Sequence, residues 1–175
     1  MTSYVGLMKR LQTLPSEQIV AMGLYEASLG QLETATYICD YLATRKKQKF
    51  RNQLVRGMAA MGFEPIDFLS KARDIAQTFQ KTTTGTNHVY VILLDGYAKQ
   101  RYGVYVGQTS RKVEARFEQH ITGHKYAARC HRKMTILLPS LFEHLNPLST
   151  KEALLLEKQI AETFALNGIR TEGGH

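Results

Sequence analysis

YGVYVGQTS, residues 102–110, is the stretch whose reading decides the fold. Tyrosines and β-branched residues fill its first half, the composition of a pleated, half-buried strand. Gly107 then interrupts, and Thr109-Ser110 offers side chains that can open a helix. A second apolar run, HVYVILL at residues 88–94, stands just upstream and is followed by the turn signal Asp95-Gly96. Together the two runs predict an antiparallel hairpin with a long tip over residues 96–101.

Further strands and helices follow outward from the hairpin. Ser110 is the expected cap of a helix running through Ile121 and ended by Gly123. Residues 133–138 read as a third strand closed by Pro139. STKE at 149–152 is a capping box, opening a helix that runs to Leu166 and stops at Asn167-Gly168. The order strand, strand, helix, strand, helix predicts a small α+β domain, with a three-stranded antiparallel sheet flanked by helices.

Upstream, KTTTGTN at 81–87 is polar and free of apolar residues, the composition of a linker. It divides an all-helical region, residues 1–81, from the α+β domain, residues 82–175. Residues 16–29 carry Ile19, Val20, Met22, Leu24 and Leu29 behind a Ser16 cap. Residues 31–60 hold one glycine and no proline, so one long helix or two consecutive ones are expected. Glu64-Pro65 starts another, bearing Ile66, Phe68, Leu69, Ile75 and Phe79. The run RKKQKFR at 45–51 reads either as a nucleic-acid contact or as a solvated helix face.

With 43% hydrophobic and 22% charged residues in 175, the composition is that of a soluble globular chain. No apolar run is long enough to cross a bilayer, and the N-terminus lacks the zones of a signal peptide, so a cytoplasmic protein without a membrane partner is expected. Cys39 and Cys130 fit no disulfide framework or paired metal spacing. The formal net charge is +8, which points to a polyanionic partner such as nucleic acid. Its placement is specific. Arg111, Lys112, Arg116, Lys125, Arg129, Arg132 and Lys133 crowd one segment, against only Glu114 and Glu118.

The last helix breaks its own pattern. Ala153, Leu156, Ile160, Ala161 and Phe164 make an apolar face, and Lys151, Glu152, Lys158, Gln159, Glu162 and Thr163 collect opposite. Glu157 projects from the apolar side. A carboxylate there costs several kcal/mol unless it is paired or binds a metal, so it is either half of a buried ion pair or a metal ligand. Arg116 and His120, four apart, share one side of their helix beside the row Val113, Phe117 and Ile121. An arginine there can grip a phosphate with both arms, and a histidine can move a proton.

These residues resemble the GIY-YIG nucleases over residues 88 to about 167. VYV (89–91), YVGQT (105–109), RFEQH (116–120) and ALLLE (153–157) stand in that family's motif order. The family includes homing endonucleases, some restriction enzymes and the incision subunit of nucleotide excision repair. The resemblance implies that Tyr90 and Tyr105 are the two motif tyrosines, Arg116 the helical arginine, His120 its companion and Glu157 the metal-binding glutamate. Gly107, Gln108 and Asn167 would support the site, although Asn167-Gly168 is equally a helix terminus. The chain departs from the pattern in three places: Val89 replaces a glycine, Gln108 stands where some members carry lysine, and the tyrosines lie fifteen apart, wider than usual.

The expectation is therefore an endonuclease hydrolysing DNA phosphodiester bonds with one divalent cation, Mg²⁺ or Mn²⁺, on Glu157. Tyr90, Tyr105 and His120 are the three candidate bases. Either tyrosine would need nearby cations to lower its pKa. Arg111, Lys112, Lys125, Arg129, Arg132 and Lys133 would contact the DNA backbone. A zinc cluster of His120, His124, Cys130 and His131 matches no common spacing. The competing reading is a non-catalytic nucleic-acid-binding protein on the same scaffold. Neither the form of the DNA nor the oligomeric state follows from the sequence, and a homo-oligomer is compatible with it.

Overall fold

A computed structural model describes residues 4–63, 66 and 68–174. The chain divides into two compact units, residues 1–67 and 68–175. The boundary expected at 81/82 therefore lies inside the second unit.

The first unit is helical, as its composition predicts: α1 (Tyr4–Thr13), α2 (Ser16–Ser28), α3 (Leu32–Thr44) and α4 (Gln48–Ala60). Leu11, Ile19, Val20, Ile38, Leu42, Leu54 and Met58 are buried. The glycine-poor run 31–60 resolves into two helices because Lys46 takes a left-handed φ of 57°. The basic run 45–51 is thus a corner rather than a continuous helix face, with Arg45 capping α3 and Lys47 starting α4. Ser16 is the first helical residue of α2, and Pro15 holds the cap position.

The second unit opens with α5 (Leu69–Ala76), later than the start expected at Glu64-Pro65; those two residues lie outside the described ones. The helix is tied into its unit by Lys71 Nζ donating to the Asn167 carbonyl (2.7 Å) and Arg73 Nε to Ser140 Oγ (3.2 Å). Then come β1 (His88–Asp95), β2 (Tyr102–Thr109), α6 (Val113–Ile121), β3 (Met134–Leu137), α7 (Thr150–Leu166) and β4 (Thr171–Gly173), with one 3-10 turn before β3 and two after it. The sheet order is β3-β1-β2-β4. β1 pairs antiparallel with both β2 and β3. Val89 to Leu94 are all buried, so β1 is covered on both faces, which explains its unbroken apolar sequence.

The fold is α+β with helices at the N-terminus, but the sheet is mixed and four-stranded. β4 runs parallel to β2 along its open edge, Tyr105 opposite Glu172. Three residues beside two glycines carry no strand periodicity, and only the free edge of β2 makes them a strand.

Backbone groups of β1 beyond the reach of β3 are closed by one side chain. Asn146 accepts from Val89 N (2.9 Å) and donates to Val89 O (2.8 Å), standing in for a neighbouring strand.

The stretch 81–87 is a docked strap. Thr82 N and Thr83 N donate to the two Glu152 carboxylate oxygens at 2.6 and 2.8 Å, and both threonine hydroxyls donate to the same group. These bonds, that of the Thr83 hydroxyl first, hold the Glu152 carboxyl down at about 2. Gly85 lies so close that an added Cβ would stand 2.3 Å from the Leu148 carbonyl oxygen. The expected capping box is consequently half made. Ser149 Oγ accepts from Glu152 N, whereas the Glu152 carboxylate holds the strap. Glu152 therefore does not belong to the solvated side of α7.

Candidate active site

β1 and β2 bring the two tyrosines together. Tyr90 stands opposite Gly107 and Ile92 opposite Tyr105, so both phenols lie on one sheet face as diagonal neighbours. Their ring centroids are 6.1 Å apart. Gly107 makes this possible, because a Cβ there would lie 2.6 Å from Tyr90 Oη and 2.8 Å from the Tyr105 ring. Tyr90 is fully buried and Tyr105 is half-buried.

α6 lies over this pair. It starts at Val113 with Lys112 at the cap position and no side-chain cap, so Ser110 does not take the role expected of it. The buried stripe is Val113, Phe117 and His120, while Ile121 is 46% exposed. His120 thus replaces Ile121 in the apolar row, with no exposed surface at all. Both its ring nitrogens are engaged. Nδ1 accepts from the Ala128 backbone N–H (3.1 Å), and Nε2 lies 2.8 Å from Tyr90 Oη. A nitrogen that accepts carries no proton, so in the neutral ring the proton is on Nε2 and is donated to Tyr90. Burial, with the nearby charges of Arg116 and His131, lowers the histidine to about 4, which keeps it neutral at pH 7.

Arg116, one turn earlier and half-buried, donates to Gln119 Oε1 (3.2 Å) and to the Tyr126 carbonyl (3.1 Å). Its charge also bears on the Tyr90 and Tyr105 hydroxyls. These cations do not prevail over desolvation, contrary to the expected lowering. Burial first, then the neighbouring Tyr105, pushes Tyr90 well above the ordinary phenol value. Burial also raises Tyr105, and the nearby Glu157 carboxylate adds to that. The two phenols also bear on one another in opposite senses, Tyr105 raising Tyr90 and Tyr90 lowering Tyr105. Tyr90 Oη accepts from His120, so its own hydrogen points away from that ring.

α7 supplies Glu157, buried at 7% exposure on the same face as Ala153, Ile160, Ala161 and Phe164. Five residues distant in sequence thus meet: Tyr90, Tyr105, Arg116, His120 and Glu157.

Other expected residues lie elsewhere. Gln108, next to Gly107 on β2, belongs to the opposite face, where its Oε1 accepts from Asn87 Nδ2 (3.2 Å). Asn167 caps α7, its Nδ2 donating to the Thr163 carbonyl (2.9 Å). Arg111, Lys112, Lys125, Arg129 and Arg132 are exposed, whereas Lys133 is half-buried and lies over the Tyr97 ring. His120, His124, Cys130 and His131 form no metal-binding group. Among the described residues no three or more His, Cys, Asp or Glu gather into one.

The sequence reading missed Glu172 and the Ala128 N–H. Glu172 reaches the site only through β4, which has no periodicity. The Ala128 amide is backbone, and no residue type advertises it.

No protein-family model, curated protein or solved structure matches the chain. The function is argued from the cluster itself.

Proposed function

We propose that the second unit is a DNA endonuclease of the GIY-YIG type, acting with one divalent cation. The observation that carries this reading is one cluster: His120 hydrogen-bonded to Tyr90, the Tyr105 ring packed beside both, Arg116 near the two phenols and Glu157 buried close to Tyr105. A structural core has no use for a guanidinium, a carboxylate and two phenols brought to one face.

The donors suit a hard cation. Glu157 is a carboxylate near the Tyr105 phenol, and among the described residues no sulfur or histidine joins it in a metal-binding group, which fits Mg²⁺ or Mn²⁺ completed by water and phosphate oxygens. Such an ion on Glu157 supplies charge stabilisation at the phosphate and the leaving oxygen.

The remaining work belongs to the chain. His120 Nε2–H donates to Tyr90, which leaves the Tyr90 hydrogen free to turn to the side where Tyr105 packs. Tyr105, half-exposed where Tyr90 is buried, is the phenol that faces the attacking water. Its pKa is the more reducible of the two, because each donor aimed at its oxygen stabilises the phenolate. His120 positions and does not act as the base: its one lone pair is occupied by Ala128 N–H. Arg116 presents its guanidinium to the nonbridging oxygens as charge develops.

The test is cleavage of single-stranded, duplex and branched DNA in Mg²⁺ or Mn²⁺, by the wild type and by Glu157→Gln. Glutamine keeps the shape and loses the anionic ligand. Metal-dependent cleavage by the wild type, abolished in Glu157→Gln at every metal concentration, is expected. Binding without cleavage by the wild type would favour the non-catalytic alternative.

A further inference from the structure

The hairpin tip and the C-terminal strand carry a second charged cluster outside the catalytic residues. Tyr97, on the β1–β2 tip, donates its hydroxyl to Glu172 Oε1 (3.0 Å). Two cations sit over its ring: the Arg170 guanidinium at 3.8 Å and the Lys133 ammonium at 4.4 Å from the centroid. Lys133 Nζ also donates to the Gly96 carbonyl. Burial and the bond to Glu172 push the Tyr97 hydroxyl up to about 12. The tip itself is closed by Gly96 N and Tyr97 N donating to the Arg101 carbonyl.

These contacts tie three separate parts of the chain into one surface. Lys99 stands on the tip, Arg132 and Lys133 precede β3, and Arg170 precedes β4. Arg101 is neutralised by Asp95 at 2.8 Å. Lys133 and Arg170 share the Tyr97 ring, whose hydroxyl is bonded to Glu172, and Lys99 and Arg132 are exposed on the adjoining segments. The ring of Tyr97 is engaged by cations and its hydroxyl by Glu172, so it serves as their holder. A cation held in place before binding loses less side-chain entropy when a phosphate arrives.

The cluster borders the tyrosine site. Glu172 is the register partner of Tyr105 across β2 and β4.

We propose that this Tyr97-centred platform, with Lys99, Arg132, Lys133 and Arg170, is a sequence-independent contact for the DNA backbone flanking the scissile phosphate. The platform rests on the nuclease reading for its partner. It fixes the strand leaving the tyrosine site along the edge made by the hairpin tip and β4. It reads charge and not bases, because its contacts are ammonium and guanidinium groups.

The test is binding of a labelled duplex DNA by the full chain in metal-chelating buffer, across a salt series. The double variant Lys99→Gln/Arg170→Gln is expected to reduce the slope of log K against log salt by about two units, one per lost phosphate contact. Tyr97→Leu keeps every charge and removes the holder, so it should weaken binding several-fold, while Tyr97→Phe, which keeps the ring, should bind more tightly than Tyr97→Leu. A slope unchanged by the double variant, or no DNA binding by the wild type, overturns the platform. Metal-dependent cleavage by the wild type with an unchanged slope would overturn the platform alone and leave the nuclease reading standing. A reduced slope without any cleavage would do the reverse.

Discussion

Acidification below about pH 6.5 is expected to destabilise the second unit through one side chain, His120. Its Nδ1 accepts from Ala128 N–H and its surface is wholly buried. Protonation there would set two N–H donors against each other and place a charge beside Arg116. The folded value is accordingly depressed to about 4 from the ordinary 6.5. For a depressed value, the contribution to stability is present above the unfolded pKa and is lost as pH falls through the folded one. The window is therefore pH 6.5 down to about 4. At about 1.4 kcal/mol per pH unit, the full loss is at most about 3.5 kcal/mol. Urea unfolding followed at a series of pH values measures it, with His120→Gln as the comparison. Glutamine can accept from one partner and donate to the other but does not titrate. The wild type should lose stability across the window, and the variant should be nearly flat there. Equal slopes in the two proteins would refute the tautomer assignment, and with it the orientation of Tyr90.

Other consequences are open to direct measurement. Asn146→Ala strands the buried Val89 N–H and carbonyl, and should cost about 1–3 kcal/mol in denaturant unfolding. Gly107→Ala puts a methyl 2.6 Å from Tyr90 Oη; it should destabilise by about 1–3 kcal/mol as overpacking does, and cleavage should fall further than stability does. Glu152→Gln should loosen the strap, seen as faster hydrogen exchange at Thr82 and Thr83. In the wild type the strap should persist above the ordinary carboxyl value of 4.5 and release as pH falls through about 2.

Much of the second unit was legible because its signals are local. Ser149 caps α7 as its neighbourhood predicts, and the hairpin follows from two apolar runs around Asp95-Gly96. Glu157 stood out because a charge on an apolar stripe breaks a periodicity that sequence displays. What sequence did not display depends on partners from elsewhere in the chain. Glu152 looked like a capping-box residue, and only the strap's arrival redirects its carboxylate. His120 looked like a boundary residue beside Ile121; the packing of β1 decides which of the two is buried. The tyrosine pKa values went against expectation, since a count of nearby arginines does not include the desolvation imposed by the sheet and two helices.

The central claim is that Arg116 stabilises a phosphate at the tyrosine face, and single-turnover cleavage tests it most directly. Wild type, Arg116→Ala and Arg116→Lys are compared on the best DNA substrate in Mg²⁺ or Mn²⁺, with DNA affinity measured alongside. Arg116→Ala should lower the rate by about 10²–10³-fold, as loss of a charge-stabilising donor does, with folding and most of the affinity retained. Lysine should rescue little, because it lacks the planar fork. Cleavage by Arg116→Ala at near the wild-type rate would contradict the account.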